Sequence, residues 1–398
     1  MQKKLIALAI AGAIAAPAAM AADGVTIYGQ LDVSYDSIRT DADTANGDTV
    51  KGTLSRVSSN ASRIGFKGKE DLGNGTYANW QIEQQVDLDA GGNTWATRNT
   101  FVGLGGGFGE VRLGKMDTPH KMSTGALDPF ADTMGDYNTI IGNGGLGSLT
   151  PYTTNLTTGA VTLGTTRVYT GSSDWERRAN NTIAYISPNM SGLTAAVAYV
   201  AGAETDINST PQGRAWSLGL MYSNGPIYAG LGWEKNYNDS TVYNATTVPA
   251  TYTGTYQQYM GAFIKNDTST RLGVGYDFGV AKVGLVMDRI QMQSEFESIS
   301  RNAYLLNVVA PVTAAVDVKA AYGKAKSWSG TSDTGATNWV VGVDYKMSKR
   351  TKLYALYTKT DNQTNGGYGI GQGAGGSFYN VAAGQAPSAF SLGVRHSF

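Results

Sequence analysis

The 398 residues carry 31 Lys+Arg against 31 Asp+Glu, two histidines and no cysteine, which excludes a disulfide scaffold and a thiolate metal site and argues against a basic nucleic-acid surface. Hydrophobic residues make up 41% of the chain at a mean hydropathy of −0.22, and no second long apolar run exists, so a bundle of membrane helices is excluded as well. A transmembrane β-barrel escapes this exclusion because only alternate side chains meet lipid, and 52 glycines, 23 tyrosines and 10 prolines suit its tight turns and aromatic girdles.

The chain opens as a secretory signal peptide over residues 1–21: Lys3 and Lys4 form the charged region, Leu5 to Ala16 the apolar region, and Ala19-Met20-Ala21 the cleavage site, with cutting after Ala21 or Ala22. The apolar run is shorter than the roughly 20 residues of a spanning helix. Removing it leaves 29 basic against 31 acidic residues, a net charge of −2, and an expected barrel domain over 22–398. The absence of cysteine is compatible with export through an oxidising periplasm.

From Val25 onward, stretches of about ten residues alternate apolar and polar side chains. In Val25 to Asp36 the odd positions, Gly29 apart, are apolar or aromatic, and the even ones can hydrogen-bond. At the other end, Phe390, Leu392, Val394 and Phe398 share one face while Ser391, Gly393, Arg395 and Ser397 share the other. Alternation begins directly after the leader, which leaves no room for an N-terminal plug.

The alternating segments come in pairs. Short joints fall at Asp71 to Gly75, Gly105 to Gly109, Pro188 to Gly192, Ser223 to Pro226, Asp277 to Gly279, Ala310 to Thr313 and Met347 to Arg350, where Gly, Asn and Pro supply the φ angles that reverse a strand. Longer joints are expected near 37–61, 88–96, 117–179, 201–213, 238–269, 291–300, 323–337 and 359–388. Short turns on one rim and long loops on the other are the outer-membrane arrangement, with the short turns periplasmic. The segments number about sixteen, an even count that returns both ends to one rim and lets the first strand pair antiparallel with the last. Closure is obligatory in lipid, where an unpaired backbone group costs several kcal/mol. Ten residues at about 3.4 Å each, tilted by about 45°, span roughly 24 Å, the height of the apolar band. Two segments are ambiguous: Thr97 to Leu104, where Phe101 and Val102 are both apolar, and Tyr256 to Tyr276, where Gln257 to Lys265 could itself be a strand.

About sixteen strands enclose an aqueous channel. The longest joint, 117–179, is the element expected to narrow it, and it contains Asp117, Asp128, Asp132 and Asp136. Alternation turns Arg63 and Lys67 away from the phase of Ile64 and Phe66, hence toward water, and turns Arg112 away from Val111 and Leu113. Arg98 and Arg178 lie at the mouths of neighbouring strands. Opposite charges across a narrow zone select permeants by size and sign. The bland alternative is that these are ordinary lumen charges.

The runs Val25 to Gly29, Arg63-Ile64-Gly65-Phe66-Lys67-Gly68 and Glu70 to Gly75 resemble the Gram-negative general porin family, in the branch typical of beta-proteobacteria and neisseriae. So do Phe101-Val102-Gly103-Leu104, Phe108 to Lys115, Asn180 to Pro188 and the terminal Arg395-His396-Ser397-Phe398. The resemblance covers the whole mature chain. It implies an all-β fold, a closed antiparallel sixteen-stranded trimeric barrel whose third external loop folds into the lumen. By position it implies a basic side formed by Arg63, Arg98, Arg112 and Arg178, to which alternation adds Lys67, facing acids drawn from Asp117, Asp128, Asp132 and Asp136. The Pro-Glu-Phe-Gly-Gly loop signature of enterobacterial relatives is missing, so individual loop acids stay open. Phe398 resembles the family's signal to the barrel-assembly machinery, its alternative being a plain lipid-facing aromatic, and His396 replaces a more usual apolar residue.

An outer-membrane enzyme is the first rival. Of the two histidines only His120 is placed to serve a Ser-His-acid site, and no G-x-S-x-G or H-E-x-x-H occurs. Gly371 to Gly376 matches G-x-G-x-x-G without a strand before it or a helix after it, and Glu83, Asp87 and Asp89 read as a wetted strand end. The second rival is a substrate-specific channel, or a barrel that adheres through its external loops. Trp175, Trp233, Trp328 and Trp339 are dispersed rather than forming a sugar-guiding run. The expectation is a passive outer-membrane pore for ions and small hydrophilic solutes, with no cofactor or metal, embedded among outer-membrane lipids and lipopolysaccharide as a homotrimer. Ion selectivity is left open.

Overall fold

In a computed structural model, the described residues are 24–43, 49–92, 95–143, 152–154, 161–163, 175–202, 214–237, 264–294, 298–371, 379 and 381–398. The expected leader over 1–21 lies outside them, as do residues 372–376 of the G-x-G-x-x-G match. The first wall begins with β1 (Thr26–Asp43), β2 (Thr49–Ser59), β3 (Arg63–Gly73), β4 (Thr76–Gln85), β5 (Thr100–Gly106) and β6 (Gly109–Asp117). A four-residue helix, α1 (Pro119–Met122), and a short hairpin of β7 (Tyr152–Thr154) and β8 (Val161–Leu163) follow. The barrel resumes with β9 (Arg178–Ile186), β10 (Leu193–Val200), β11 (Arg214–Asn224), β12 (Ile227–Tyr237), β13 (Ile264–Asp277) and β14 (Lys282–Ser294). It ends with β15 (Ser298–Pro311), β16 (Val316–Ala325), β17 (Ala336–Lys346), β18 (Thr351–Asn362) and β19 (Ser388–Ser397).

All pairings in the main sheet are antiparallel and, apart from β1–β3, β6–β9 and the closing pair, join chain neighbours; β1 closes the sheet on β19 from Gln30↔Ser397 to Arg39↔Ser388. The sheet contains 17 strands, of which β2 and β3 are two halves of one: both pair with β1, Val33↔Ser59 and Gln30↔Arg63, across a break at 60–62. The barrel is therefore a closed sixteen-stranded one. Phe398 completes the seam, its N–H and carbonyl each bonded to Gly29 at 3.1 Å.

Side chains sort by the period of two. Val102, Leu104 and Leu113 point outward and are more than half exposed, while Asp32, Ser34 and Asp36 are buried inside. An exterior of this size and apolarity is compatible with lipid rather than water. Tight turns lie between the strands on one rim, for instance at Asn74-Gly75, where both residues adopt positive φ, 54° and 74°.

Three of the long joints need correction. The ladder continues through much of 37–61, with β1 reaching Asp43 and β2 starting at Thr49; β13 begins at Ile264, inside the 238–269 loop; and only residues 295–297 separate β14 from β15 where 291–300 was expected. The cause is common to all. These strand ends rise above the apolar band, so their outward positions become polar and alternation fades while the backbone ladder goes on. At the ambiguous segment, β5 spans Thr100–Gly106 with Val102 outward and Phe101 inward beneath Arg112.

Candidate functional site

Residues 118–143, which follow β6, line the inner wall. Thr118 caps α1 by accepting from the Lys121 N–H at 3.3 Å, with Pro119 at the first helical position, as a helix start prefers. The segment then bonds to inward-facing groups strand by strand. His120 donates its N–H to Ser217 on β11 at 2.9 Å, and Tyr228 on β12 donates to the Ser123 carbonyl at 2.9 Å. Asn307 on β15 donates to the Leu127 carbonyl at 2.8 Å, Lys319 on β16 to Pro129 at 2.9 Å, and Arg395 on β19 to Ala131 at 2.8 Å.

Room for this segment comes from glycines on the inward phase. A Cβ at Gly230 would overlap the Ser123 carbonyl oxygen, and one at Gly273 would lie 2.5 Å from Leu127. Gly219, Gly232, Gly275 and Gly342 are crowded by the same segment. Its apolar side chains are buried against the wall: Leu127, Tyr137, Ile140 and Ile141 with Val286 and Leu305, and Phe130 and Met134 with Val340 and Leu356. Full burial of each such side chain contributes roughly 1.5–3 kcal/mol.

Among the described residues, 118–143 leave most of the wall formed by β3 to β6 and β9 uncovered. Between it and the segment lies a cavity of about 350 Å³, lined by Arg98, Arg178 and Lys121 together with Asp117, Asp128, Asp132 and Asp136. Arg63 reaches in and donates to Asp132 at 3.1 Å. Asp117 takes Lys121 at 2.8 Å and Arg178 at 3.2 Å, and Arg98 pairs with Glu83 at 2.5 Å. Burial, then the charges of Arg178 and Arg63, lowers the Arg98 pKa against the pull of Glu83. At Asp132 burial pushes the carboxyl pKa up, but Arg63, Arg395 and Arg98 outweigh it and hold it below its ordinary value. Asp128 and Asp136 differ. Burial raises Asp128 to about 6, and burial with the neighbouring Asp128 charge raises Asp136 well above the carboxylate range, so the pair retains a proton near neutrality.

The nine charged residues singled out from the sequence thus divide into two groups. Arg63, Arg98 and Arg178 come together with Asp117, Asp128, Asp132 and Asp136. Lys67 and Arg112 instead line a second cavity on the short-turn side, with Lys69. There Arg112 is bonded to Glu110 and sits over the Phe101 ring at 4.4 Å, while Lys67 and Lys69 lie over Tyr28 and Tyr77 at 5.1 and 3.7 Å. Lys121 and Arg395 were not singled out. Arg395 was readable as inward by phase, and its guanidinium pairs with Asp32 at 2.5 Å beside the loop tip. Glu83 is no bare strand end either, because it also accepts the Tyr28 hydroxyl at 2.9 Å.

His120 is wholly buried. Its Nε2 meets Ser269 Oγ at 2.8 Å, and Ser269 donates onward to Asp288 at 3.0 Å, an order in which serine stands between histidine and acid. A nucleophilic triad needs histidine in the middle. Burial and the nearby Arg271 push the imidazole down to about 3, so it is a neutral packing group against Trp175.

A closed barrel with an apolar outside, a charged inside and a loop bonded along one inner wall is a membrane channel. The family model described as Gram-negative porin matches residues 7–365, and the chain belongs to that family. Outer membrane porin protein 32 of Delftia acidovorans is 30% identical over 406 residues, covering 100% of each chain. Major outer membrane protein P.IB of Neisseria gonorrhoeae is 31% identical over 363 residues, covering 88% of this chain and 91% of that protein. Among solved structures, the anion-selective porin from Comamonas acidovorans superposes with a TM-score of 0.71 at 26% identity, covering 94% of this chain and 100% of that one. OmpT of Vibrio cholerae in its trimer form shares the fold at 18% identity and a TM-score of 0.60, covering 95% of this chain and 100% of that one. The chain is an outer-membrane porin, a channel for passive diffusion.

Proposed function

We propose that the opening between residues 118–143 and the β3–β6/β9 wall is the pore constriction, with Arg63, Arg98 and Arg178 as its basic side and Asp117 and Asp132 as its ionised acidic side. Asp128 and Asp136 belong to the loop's own anchoring. Lys67 and Arg112 act below the constriction, in the vestibule on the short-turn side. The observation that carries this reading is the Arg63–Asp132 contact, where loop tip and open wall meet across the passage.

Hydrated ions and small polar solutes cross by diffusion, and no bond chemistry is required. A weak preference for anions follows from charge. Lys67 and Lys69 stack on tyrosines instead of pairing with carboxylates, and the Asp128–Asp136 pair contributes less than two negative charges. The anion-selective porin from Comamonas acidovorans supports that sign. The protein assembles as a homotrimer, residues 1–21 are removed on export to leave a 22–398 barrel, and Phe398, an exposed aromatic at the seam, is read by the assembly machinery.

Reconstitution into a planar bilayer under a salt gradient tests the reading. Conductance proportional to salt, a zero-current potential on the anion side, and liposome swelling that declines smoothly with sugar size are expected. Saturation by one solute class would replace general diffusion with a specific channel. Unboiled gel electrophoresis distinguishes trimer from monomer.

A further inference from the structure

We propose that the three-residue bulge Asn60-Ala61-Ser62 is a specificity-determining element of the channel: its extra residue turns Arg63 from lipid to lumen, and its Ala61 carbonyl aims the guanidinium at the passage. The inference rests on the reading of Arg63 as part of the constriction. Register reveals the extra residue. Between the pairs Val33↔Ser59 and Gln30↔Arg63, β1 has two residues, Leu31 and Asp32, where the opposite strand has three. On one side of the bulge Arg56 and Ser58 share the inward phase of Asp36 and Ser34, and on the other Arg63, Gly65 and Lys67 share that of Gln30, Tyr28 and Thr26. Without the extra residue Arg63 would stand opposite Gly29, on the outward phase of Ile27 and Leu31, while Ile64 and Phe66 would face the lumen. A slip of one residue exchanges the two faces of a strand, and bulges beside functional sites re-aim side chains in this way.

The surroundings hold the bulge in place. Asn60, Ala61 and Ser62 are all buried. The Asn60 N–H bonds to the Asp32 carbonyl at 2.8 Å, and its side-chain amide donates to Ser34 Oγ at 2.8 Å and to the Tyr354 hydroxyl at 2.9 Å. Ser62 Oγ accepts the Asp32 N–H at 2.9 Å, and the Ser62 carbonyl accepts from the Val86 N–H at 2.8 Å, just past the end of β4. Between these anchors Ala61 takes a positive φ of 49°, a conformation disfavoured for any residue with a Cβ. Backbone strain persists only where the neighbours over-determine it. The Ala61 carbonyl accepts from Arg63 Nη1 at 3.0 Å, the nitrogen that also donates to Asp132 at 3.1 Å. The guanidinium is therefore held by the wall's own backbone as well as by the loop, and its charge stays at the passage when the loop contact opens.

The test reads facing and selectivity separately. The chain has no cysteine, so single thiol probes report one position each. In the folded barrel in lipid vesicles, Lys67→Cys is expected to react with a charged methanethiosulfonate and Phe66→Cys to resist it, and deletion of Ala61 should exchange the two. Unexchanged labelling after the deletion would overturn the proposal. Selectivity is read in barrels that keep every residue. Ala61→Ile, whose β-branched side chain opposes a positive φ, is expected to move the zero-current potential in the direction of Arg63→Gln, toward cations, and to add nothing in an Arg63→Gln background. The conservative Ala61→Gly, free to adopt positive φ, should keep the wild-type value. An unmoved potential in Ala61→Ile would overturn the proposal, and so would an equal shift with and without Arg63, which would mark an effect of bulk alone. If Arg63→Gln itself leaves the potential unchanged, the constriction reading fails, whereas the thiol exchange still decides the facing.

Discussion

Arg63 on the open wall donates to Asp132 at the loop tip at 3.1 Å, and this contact joins the two sides of the opening. Asp132 holds a positive φ of 60°, and its backbone N–H is fixed by Asp136 at 2.9 Å, so the carboxylate is presented by a turn that has little freedom to follow a moving partner. Arg63→Glu should repel the tip, raise the open-channel noise and shift the zero-current potential toward cations. The charge swap Arg63→Asp/Asp132→Arg should restore quiet conductance. A single variant as quiet and as anion-preferring as wild type would remove this pair from the constriction.

Gly230 marks where the loop presses on the barrel. Valine there forces either the Ser123 carbonyl or strand β12 to move, and overpacking of this kind typically costs 1–3 kcal/mol. Because β12 is held by ladders on both sides, the loop should yield first. Gly230→Val is therefore expected to give a folded barrel with larger single-channel conductance and a lower Tm. Unchanged conductance at full folding yield would mean that the loop does not narrow the passage.

The barrel was largely legible in the sequence because lipid imposes a simple rule, alternate apolar residues over about ten positions, which β1 obeys up to Tyr35, Gly29 apart, and β19 from Phe390 to Val394. What lay above the membrane was not. In the upper parts of β1 and β14 the outward positions are polar (Arg39; Arg289, Gln291 and Gln293), while the apolar residues Ile38, Ile290 and Met292 face inward, so the lipid-facing alternation that marks a strand is lost there. For the site, inward phase identified Arg63, Lys67 and Arg112 correctly as lumen-facing but carried no information on height. Height follows from register and from where the loop lands, and these place Arg112 with Glu110 near the short-turn rim. The glycines of β12 and β13 that seat the loop carry no such meaning in the sequence, because it depends on residues more than a hundred positions away.

Arg112 consequently makes a graded prediction. Its charge is already offset by Glu110, which also accepts from Asn79 at 2.7 Å, and it lies outside the opening. Arg112→Gln should move the zero-current potential much less than Arg178→Gln, since Arg178 faces the passage at Asp117. At physiological salt, screening over about 8 Å reduces the distant charge further. Equal shifts for the two variants would place the selective zone lower in the barrel.

The Asp128–Asp136 pair sets a pH dependence. Asp128 accepts the N–H groups of Phe130 and Tyr137 at 2.9 and 3.1 Å, and Asp136 those of Asn138 and Asp132, both at 2.9 Å, so the two carboxyls fold the loop's turns as well as repelling each other. Burial raises Asp128 to about 6 and Asp136 further above the ordinary range, whereas both titrate near 4 in the unfolded chain. A raised folded value means that the stabilising proton is fully effective below about pH 4 and is lost as pH rises through about 6 and beyond. The loop should hence be anchored more firmly at pH 5 than at pH 8, by about 1 kcal/mol for one proton titrating near 6. Single-channel noise and Tm should both report it. Asp136→Asn removes the mutual repulsion, although it gives up one backbone acceptor, and should flatten the dependence between pH 5 and 8. If the variant keeps the wild-type pH profile, the change arises at the exposed ionisable groups of the barrel and not at this pair.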